Sequence, residues 1–175
     1  MRSLVLIAIL FCAVPLVRSW VEPAEVRYTH WPNGRTRSAI RVERNSSGTL
    51  DRHGSALLYD EEGRLQVRGE FRDDQREGRW TWFRPDGSVD AICDYSGDRG
   101  PSRSFHPDGS VKTEGVYDGD APAGTWTEYY PSGRPRLRGH YVDGRREGEW
   151  TAYSDTDPQQ SMTVRYRNGE RIDAP

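Results

Sequence analysis

The sequence predicts an all-β fold, an elongated single-sheet ladder of antiparallel β-hairpins repeating every 22–24 residues. Three observations predict it: a shortage of aliphatic side chains, turn glycines at a nearly constant step, and aromatics that keep the same step. In 175 residues Leu, Ile, Val and Phe total 30, while 25 basic side chains oppose 27 acidic ones for a net charge of −2. So few aliphatics beside a large net charge would mean disorder; near neutrality, with 11% aromatic residues, they mean a thin core instead. Buried parallel strands or a helix bundle need more apolar bulk than this. The intermixed charges leave no broad electropositive footprint, so nucleic acid is not an expected partner.

Residues 1–19 read as a signal peptide: Arg2, an apolar run over residues 4–14, Pro15, and Val17 and Ser19 placed for cleavage before Trp20. The apolar stretch ends near Val17, short of the roughly 20 residues a spanning helix needs; retention as an anchor is the alternative. The chain is therefore expected to be exported to the periplasm, cell envelope or extracellular space. Removal of the signal leaves 20 aliphatic-plus-Phe residues and a single cysteine, Cys93, so no intramolecular disulfide can supply stability.

Repetition supplies it instead. Turn glycines recur at Gly63, Gly87, Gly109 and Gly133, and a second register runs through Gly54, Gly78, Gly100, Gly124 and Gly148. Residues 20–53 form a degenerate N-terminal capping repeat, 54–153 the array, and 154–175 a degenerate C-terminal capping repeat and tail. One aromatic series is Tyr59, Phe83, Phe105, Tyr129 and Tyr153; another is Phe71, Tyr95, Tyr117, Tyr141 and Tyr166; Trp80, Trp126 and Trp150 form a third. Ala56 and Ser102 take the tryptophan slot in the two weaker copies. These series are the expected core, with Trp80, Phe83, Tyr95, Phe105, Tyr117, Trp126, Tyr129, Tyr141, Trp150 and Tyr153 as its repeated members.

Each unit opens on a hairpin signal. The turns are Trp31-Pro-Asn-Gly34, Arg84-Pro-Asp-Gly87, His106-Pro-Asp-Gly109 and Tyr130-Pro-Ser-Gly133. Pro presets φ at the first corner, Asn, Asp or Ser fits the second, and Gly takes the left-handed conformation that closes the loop. Strands with period-two alternation follow: Leu65, Val67, Gly69, Phe71; Val89, Ala91, Cys93, Tyr95; Val111, Thr113, Gly115, Tyr117; Pro135, Leu137, Gly139, Tyr141. This predicts one packed and one wet face per strand. Cys93 stands in a glycine slot, where little room is expected beside a neighbouring aromatic. The 22-residue unit is shortened between Tyr95 and Gly100, a deletion expected to fall in a loop and leave the register alone.

The segments Gly78-Arg-Trp80-Thr-Trp-Phe83-Arg-Pro-Asp-Gly87 and Gly124-Thr-Trp126-Thr-Glu-Tyr129-Tyr-Pro-Ser-Gly133, followed by Gly139-His-Tyr141-Val-Asp-Gly144-Arg-Arg-Glu-Gly148-Glu-Trp150, resemble the MORN-repeat variant typical of bacterial YwqK-like antitoxin proteins. The resemblance implies a hairpin ladder that offers a binding or scaffolding surface, in some members that of an antitoxin or immunity protein. With a signal peptide, an antitoxin role requires a toxin that acts outside the cytoplasm.

Catalysis finds little footing in the sequence. His30, His53, His106 and His140 are scattered, and no G-x-S-x-G elbow or phosphate-cradling loop occurs. No cofactor or metal is expected: Asp60-Glu61-Glu62 and Asp118-Gly119-Asp120 read as solvated turns. Asn45-Ser46-Ser47 is a glycosylation acceptor only in a pathway that glycosylates, and its place is a loop. The most ligand-like feature is Arg134, Arg136, Arg138 and His140, which alternate with Pro135, Leu137 and Gly139 and so line one outward face. Such a row suits an acidic protein partner, or an anionic lipid surface. Trp82 and Tyr130 lie outside the repeated core and are expected to be exposed anchors for a partner. The expected function is non-enzymatic: to bind or scaffold a partner macromolecule as a monomer, or as an oligomer built by pairing of the sheet's terminal strands. Neutralisation of a toxin and a structural role in the envelope are the alternatives.

Overall fold

The computed structural model describes residues 25–157 and 159–173; the expected signal segment and Trp20 lie outside them. Its strands run in chain order: β1 (Glu25–His30), β2 (Thr36–Arg44), β3 (Leu50–Tyr59), β4 (Leu65–Arg72), β5 (Gln75–Phe83), β6 (Val89–Ser96), β7 (Arg99–Phe105), β8 (Val111–Asp118), β9 (Ala121–Tyr129), β10 (Pro135–Val142), β11 (Arg145–Tyr153), β12 (Ser161–Arg167) and β13 (Glu170–Arg171). Among the described residues they form one 13-stranded sheet whose spatial order is the sequence order. Every pair is antiparallel, and among the described residues no helix or second sheet covers either face.

The turns alternate in kind, except that β2 and β3 are joined by a glycine turn in which Gly48 donates to the Asn45 carbonyl at 3.0 Å. Along one edge of the sheet Gly34, Gly87, Gly109 and Gly133 each donate to the carbonyl three residues back at 2.9 Å, with φ between 81° and 84°, as the Pro-containing signals predict. Along the other edge, two-residue turns place both central residues at positive φ: Asp73-Asp74, Gly97-Asp98, Asp143-Gly144 and Asn168-Gly169. That conformation matches the right-handed twist of the flanking strands.

Two devices punctuate the strands. A bulge follows three residues after each turn glycine: Trp82 pairs with Ala91 and Phe83 with Val89, leaving Asp90 unpaired, and Arg37, Gln66, Lys112 and Arg136 hold the matching positions. A second, two-residue irregularity lies near Gly54, Gly78, Gly124 and Gly148, all at positive φ. It is missing between β6 and β7, where Cys93–Ser102 and Ser96–Arg99 share one register. The two-residue deletion therefore removes this bulge, not loop residues, since the Gly97-Asp98 turn keeps full length; the register beyond it is kept, as expected.

The faces are less asymmetric than the alternation suggests. Trp80, Phe71, Tyr95 and Cys93 are buried on one face, with Ala56, and Val67, Trp82 and Tyr117 pack against them. Phe83 follows Trp80 by three residues, so strand parity sends it to the opposite face. Phe83, Phe105, Tyr129 and Tyr153 are accordingly half-buried on the second face, where the Tyr129 hydroxyl donates to Glu114 Oε2 at 3.0 Å. The expected core is thus two stripes, and both faces carry apolar surface.

The deepest packing is a contact between consecutive strands. Trp80 lies against Gly69, Trp126 against Gly115 and Trp150 against Gly139; a Cβ on these glycines would stand 2.2, 2.2 and 2.1 Å from the nearest indole carbon. Each indole N–H donates to the carbonyl of the residue after that glycine, at 3.0 Å to Glu70, 3.2 Å to Val116 and 3.2 Å to His140. The second aromatic series meets these indoles edge-on, with Phe71–Trp80 and Tyr141–Trp150 centroids both 4.9 Å apart. Glycine here is a seat for the ring, which is why so few aliphatic side chains suffice.

Candidate functional site

Where the indole is lost, the seat changes. Ala56 replaces it opposite Ile40, and Ser102 replaces it opposite Cys93, so a side chain returns to the glycine slot when the ring disappears. Ile40 refills much of the vacated volume, but Cys93 is too small to do so. The Cys93 thiol is fully buried, donates to the Gly100 carbonyl at 3.5 Å, and burial pushes its pKa up, so it is a packing group and no nucleophile.

The shortfall opens a groove of about 430 Å³ on the Trp face. Trp82 and Trp126 wall it, Tyr95 and Tyr117 line one end, and Ser102, Ser104 and Thr113 stand at its floor. Ser104 Oγ and Thr113 Oγ1 are 2.6 Å apart. The rim is charged but paired. Arg76 Nε donates to Asp98 Oδ1 and its Nη2 to Asp120 Oδ1, both at 2.9 Å, with the guanidinium 4.5 Å from the Tyr95 ring centroid. Asp90, the bulge residue, lies 2.9 Å from Arg84. The Arg76 backbone and side-chain N–H groups hold the Asp98 carboxyl below its ordinary range, while burial pushes the Tyr95 and Tyr117 hydroxyls up.

The basic row is only partly a row. Arg134, Arg136, Arg138 and His140 are all exposed, but Leu137 pairs with Glu128 and Pro135 with Tyr129, so Arg136 falls in the bulge and ion-pairs with Glu128 on the Trp face. Arg134 hydrogen-bonds the Asp155 carbonyl. Arg138 and His140 keep the outer face, their side chains without a hydrogen-bonded partner among the described residues. The sequence could not show this break, because a bulge shifts parity without any residue type marking it.

Trp82 and Tyr130 are corrections. Trp82 is half-buried with its centroid 6.3 Å from that of Trp80, on the core side where parity with Trp80 places it. Tyr130 is also half-buried, its hydroxyl donating to the Tyr153 carbonyl at 2.9 Å. It belongs to a set of inter-repeat clasps. Trp31 Nε1 donates to the Tyr59 carbonyl at 3.1 Å, His106 Nε2 to that of Tyr129 at 3.0 Å, and Arg84 to that of Phe105. Each clasp ties a turn to the end of a later strand. The signal was present in the sequence: every residue before the turn proline carries a donor at the tip of a long side chain.

A family model described as the MORN repeat variant matches residues 123–143, which span β9, the Tyr130 turn and β10. Residues 123–143 are a MORN repeat variant. The MORN segment holds Gly124, Trp126, Tyr129, Gly133, Gly139 and Tyr141; its turn recurs after Trp80 at Gly87, and its indole seat recurs at both Trp80 and Trp150. No curated protein matches the chain. Among solved structures, a chain of the GtfA/B complex bound to UDP and GlcNAc is similar at 15% identity over 65% of this chain and 22% of that one, with a TM-score of 0.28. A mutant S. aureus TarM in complex with Fondaparinux, alpha-GlcNAc-glycerol and UDP is similar at 11% identity, 64% and 19% coverage and a TM-score of 0.28. The Glycosylation Associate Protein (Gap123) complex from Streptococcus agalactiae gives 17% identity, 77% and 19% coverage and a TM-score of 0.30. The chain spans about a fifth of the length of each.

Proposed function

We propose that this MORN-type ladder is an exported, non-enzymatic platform that binds or scaffolds a partner protein. The observation that carries the reading is the uncovered sheet: both faces bear half-buried aromatics and neither has a second layer among the described residues. A preformed array of this kind presents anchors at little ordering cost. On the outer face, Arg138 and His140 stand beside the Tyr129 and Tyr153 stripe and supply the charge that suits an acidic partner. The test is affinity capture of the full chain from its own envelope fraction, with R138S/H140S as the comparison. A partner recovered by the unaltered chain and lost by the variant is the expected result; equal recovery refutes the assignment of this face. Export is tested by sequencing the N-terminus of the cellular protein, which should begin at Trp20.

Self-assembly is the second reading, favoured by β1. This terminal strand is exposed throughout, with Val26 at 41% and Tyr28 at 60% exposure, and pairs only with β2 among the described residues. Solution mass over a concentration series decides it, since a strict monomer excludes edge pairing.

A further inference from the structure

We infer that the groove over Ser102 is a binding site for a neutral saccharide, a pyranose ring or a short run of them. This goes beyond the partner-protein reading and does not depend on it. The groove lies where one unit lacks both the indole and the two-residue bulge that the flanking units keep, a combination found once among the described units, at Cys93 and Ser102.

Its lining specifies the guest. Three half-buried aromatic side chains, from Trp82, Trp126 and Tyr117, offer apolar surface that a flat ring with a C–H face can cover, with buried Tyr95 behind them. Between them are neutral hydrogen-bonding groups. The Ser104–Thr113 hydroxyl pair keeps spare acceptor capacity, and the Trp82 Nε1–H and Tyr117 hydroxyl make no hydrogen bond among the described residues. Charge argues the same way. Arg76 is already shared between Asp98 and Asp120, and Asp90 is held by Arg84, so no unpaired cation awaits an anion and no unpaired carboxylate awaits an ammonium group. Those paired ions still have free lone pairs and N–H groups at the rim, which suit the vicinal hydroxyls of a sugar. The floor hydroxyls are bonded within the sheet, Ser104 with Thr113 and Ser102 to the Ile92 carbonyl at 3.1 Å, so a purely apolar guest would leave their spare lone pairs and the Trp82 N–H unmatched. The volume lies in the range of small-ligand sites, and the opening to solvent fits an extended chain.

The array suggests its own control. Cys93→Gly with Ser102→Trp rebuilds the glycine-seated indole found at Trp80, Trp126 and Trp150, and so fills the groove with native-like packing. The full-length chain is titrated with maltotetraose, cellotetraose, chitotetraose and mannotetraose by tryptophan fluorescence and saturation-transfer NMR. At least one probe should bind saturably, with Kd on the order of 0.1 to 5 mM for so open a site. C93G/S102W should weaken that probe at least about tenfold while thermal unfolding stays cooperative. D90N/D120N, at side chains 55% and 93% exposed, leaves the core untouched and should weaken it several-fold, which keeps the test decisive if the first variant folds poorly. Failure of every probe to saturate, undiminished binding in both variants, or saturation by tetramethylammonium or inorganic phosphate in place of the sugars overturns the inference.

Discussion

Gly139→Ala probes the packing device on which the ladder rests. The new Cβ would stand 2.1 Å from Trp150 Cδ2, 2.3 Å from Cε2 and 2.5 Å from Cγ. The indole must retreat by at least about 1.3 Å to restore ordinary contact, which is overpacking of the kind that costs about 1–3 kcal/mol. Retreat also stretches the 3.2 Å hydrogen bond from Trp150 Nε1 to the His140 carbonyl, a further loss of about 1 kcal/mol. Against this, Gly139 has no positive φ, so alanine stiffens the unfolded chain and returns about 0.4–1 kcal/mol. The net expectation is destabilisation by about 1–3.5 kcal/mol. In a Trp150→Ser background the obstacle is gone, and the same substitution should be neutral or slightly stabilising. Urea titrations of the four proteins in the cycle give the coupling, read from midpoints at constant slope. Equal cost of Gly139→Ala in both backgrounds, or a cost below about 0.5 kcal/mol with Trp150 present, refutes the seat as the reason for glycine.

Three further predictions follow from the ties between repeats. Tyr130→Phe removes the hydroxyl that donates to the Tyr153 carbonyl and should cost about 0.5–1.5 kcal/mol by urea denaturation, with unchanged circular dichroism. Arg76→Lys keeps the charge but cannot hold Asp98 and Asp120 with a planar fork, so about 1–3 kcal/mol should be lost, measured the same way. Stability should be flat near neutral pH and fall as pH drops below about 4, because the carboxyls of Asp74 and Asp98 are held below their ordinary range, chiefly by the Arg52 side chain and the Arg76 backbone respectively. The unfolded chain binds more protons in that window, so the contribution disappears as pH falls through the folded values; D74N/D98N should flatten the acid limb seen by thermal melts.

The ladder was legible because its turns are written in residue types with few conformational options. Pro before Asp or Asn, with Gly next, fixes a corner wherever it occurs, and the constant step then pairs Tyr95, Tyr117 and Tyr141 with the right strands. What stayed hidden depends on parity. The bulge three residues past each turn glycine carries Gln66, Asp90, Lys112 or Arg136 without preference, so nothing in the sequence warns that Arg136 leaves the row of Arg138 and His140. The three-residue step from Trp80 to Phe83 does announce opposite faces, while the period-two alternation of the intervening strands suggests only one. Trp82 stands outside the repeated series, yet its two-residue step from Trp80 puts it on the core side and not among surface anchors. The groove was out of reach for another reason: Ser102 and Cys93 are each unremarkable, and only their being cross-strand partners reveals a vacancy.

The strictly sequential order of the strands has a mechanical consequence. No strand is held by one distant in the chain, so a force applied to the two ends would peel hairpins singly from the margins inward, each release leaving a shorter but intact ladder. The step at Cys93 and Ser102, with no indole to seat, is the natural breaking point within the interior. A pulling trace should therefore show many small events, not one large rupture.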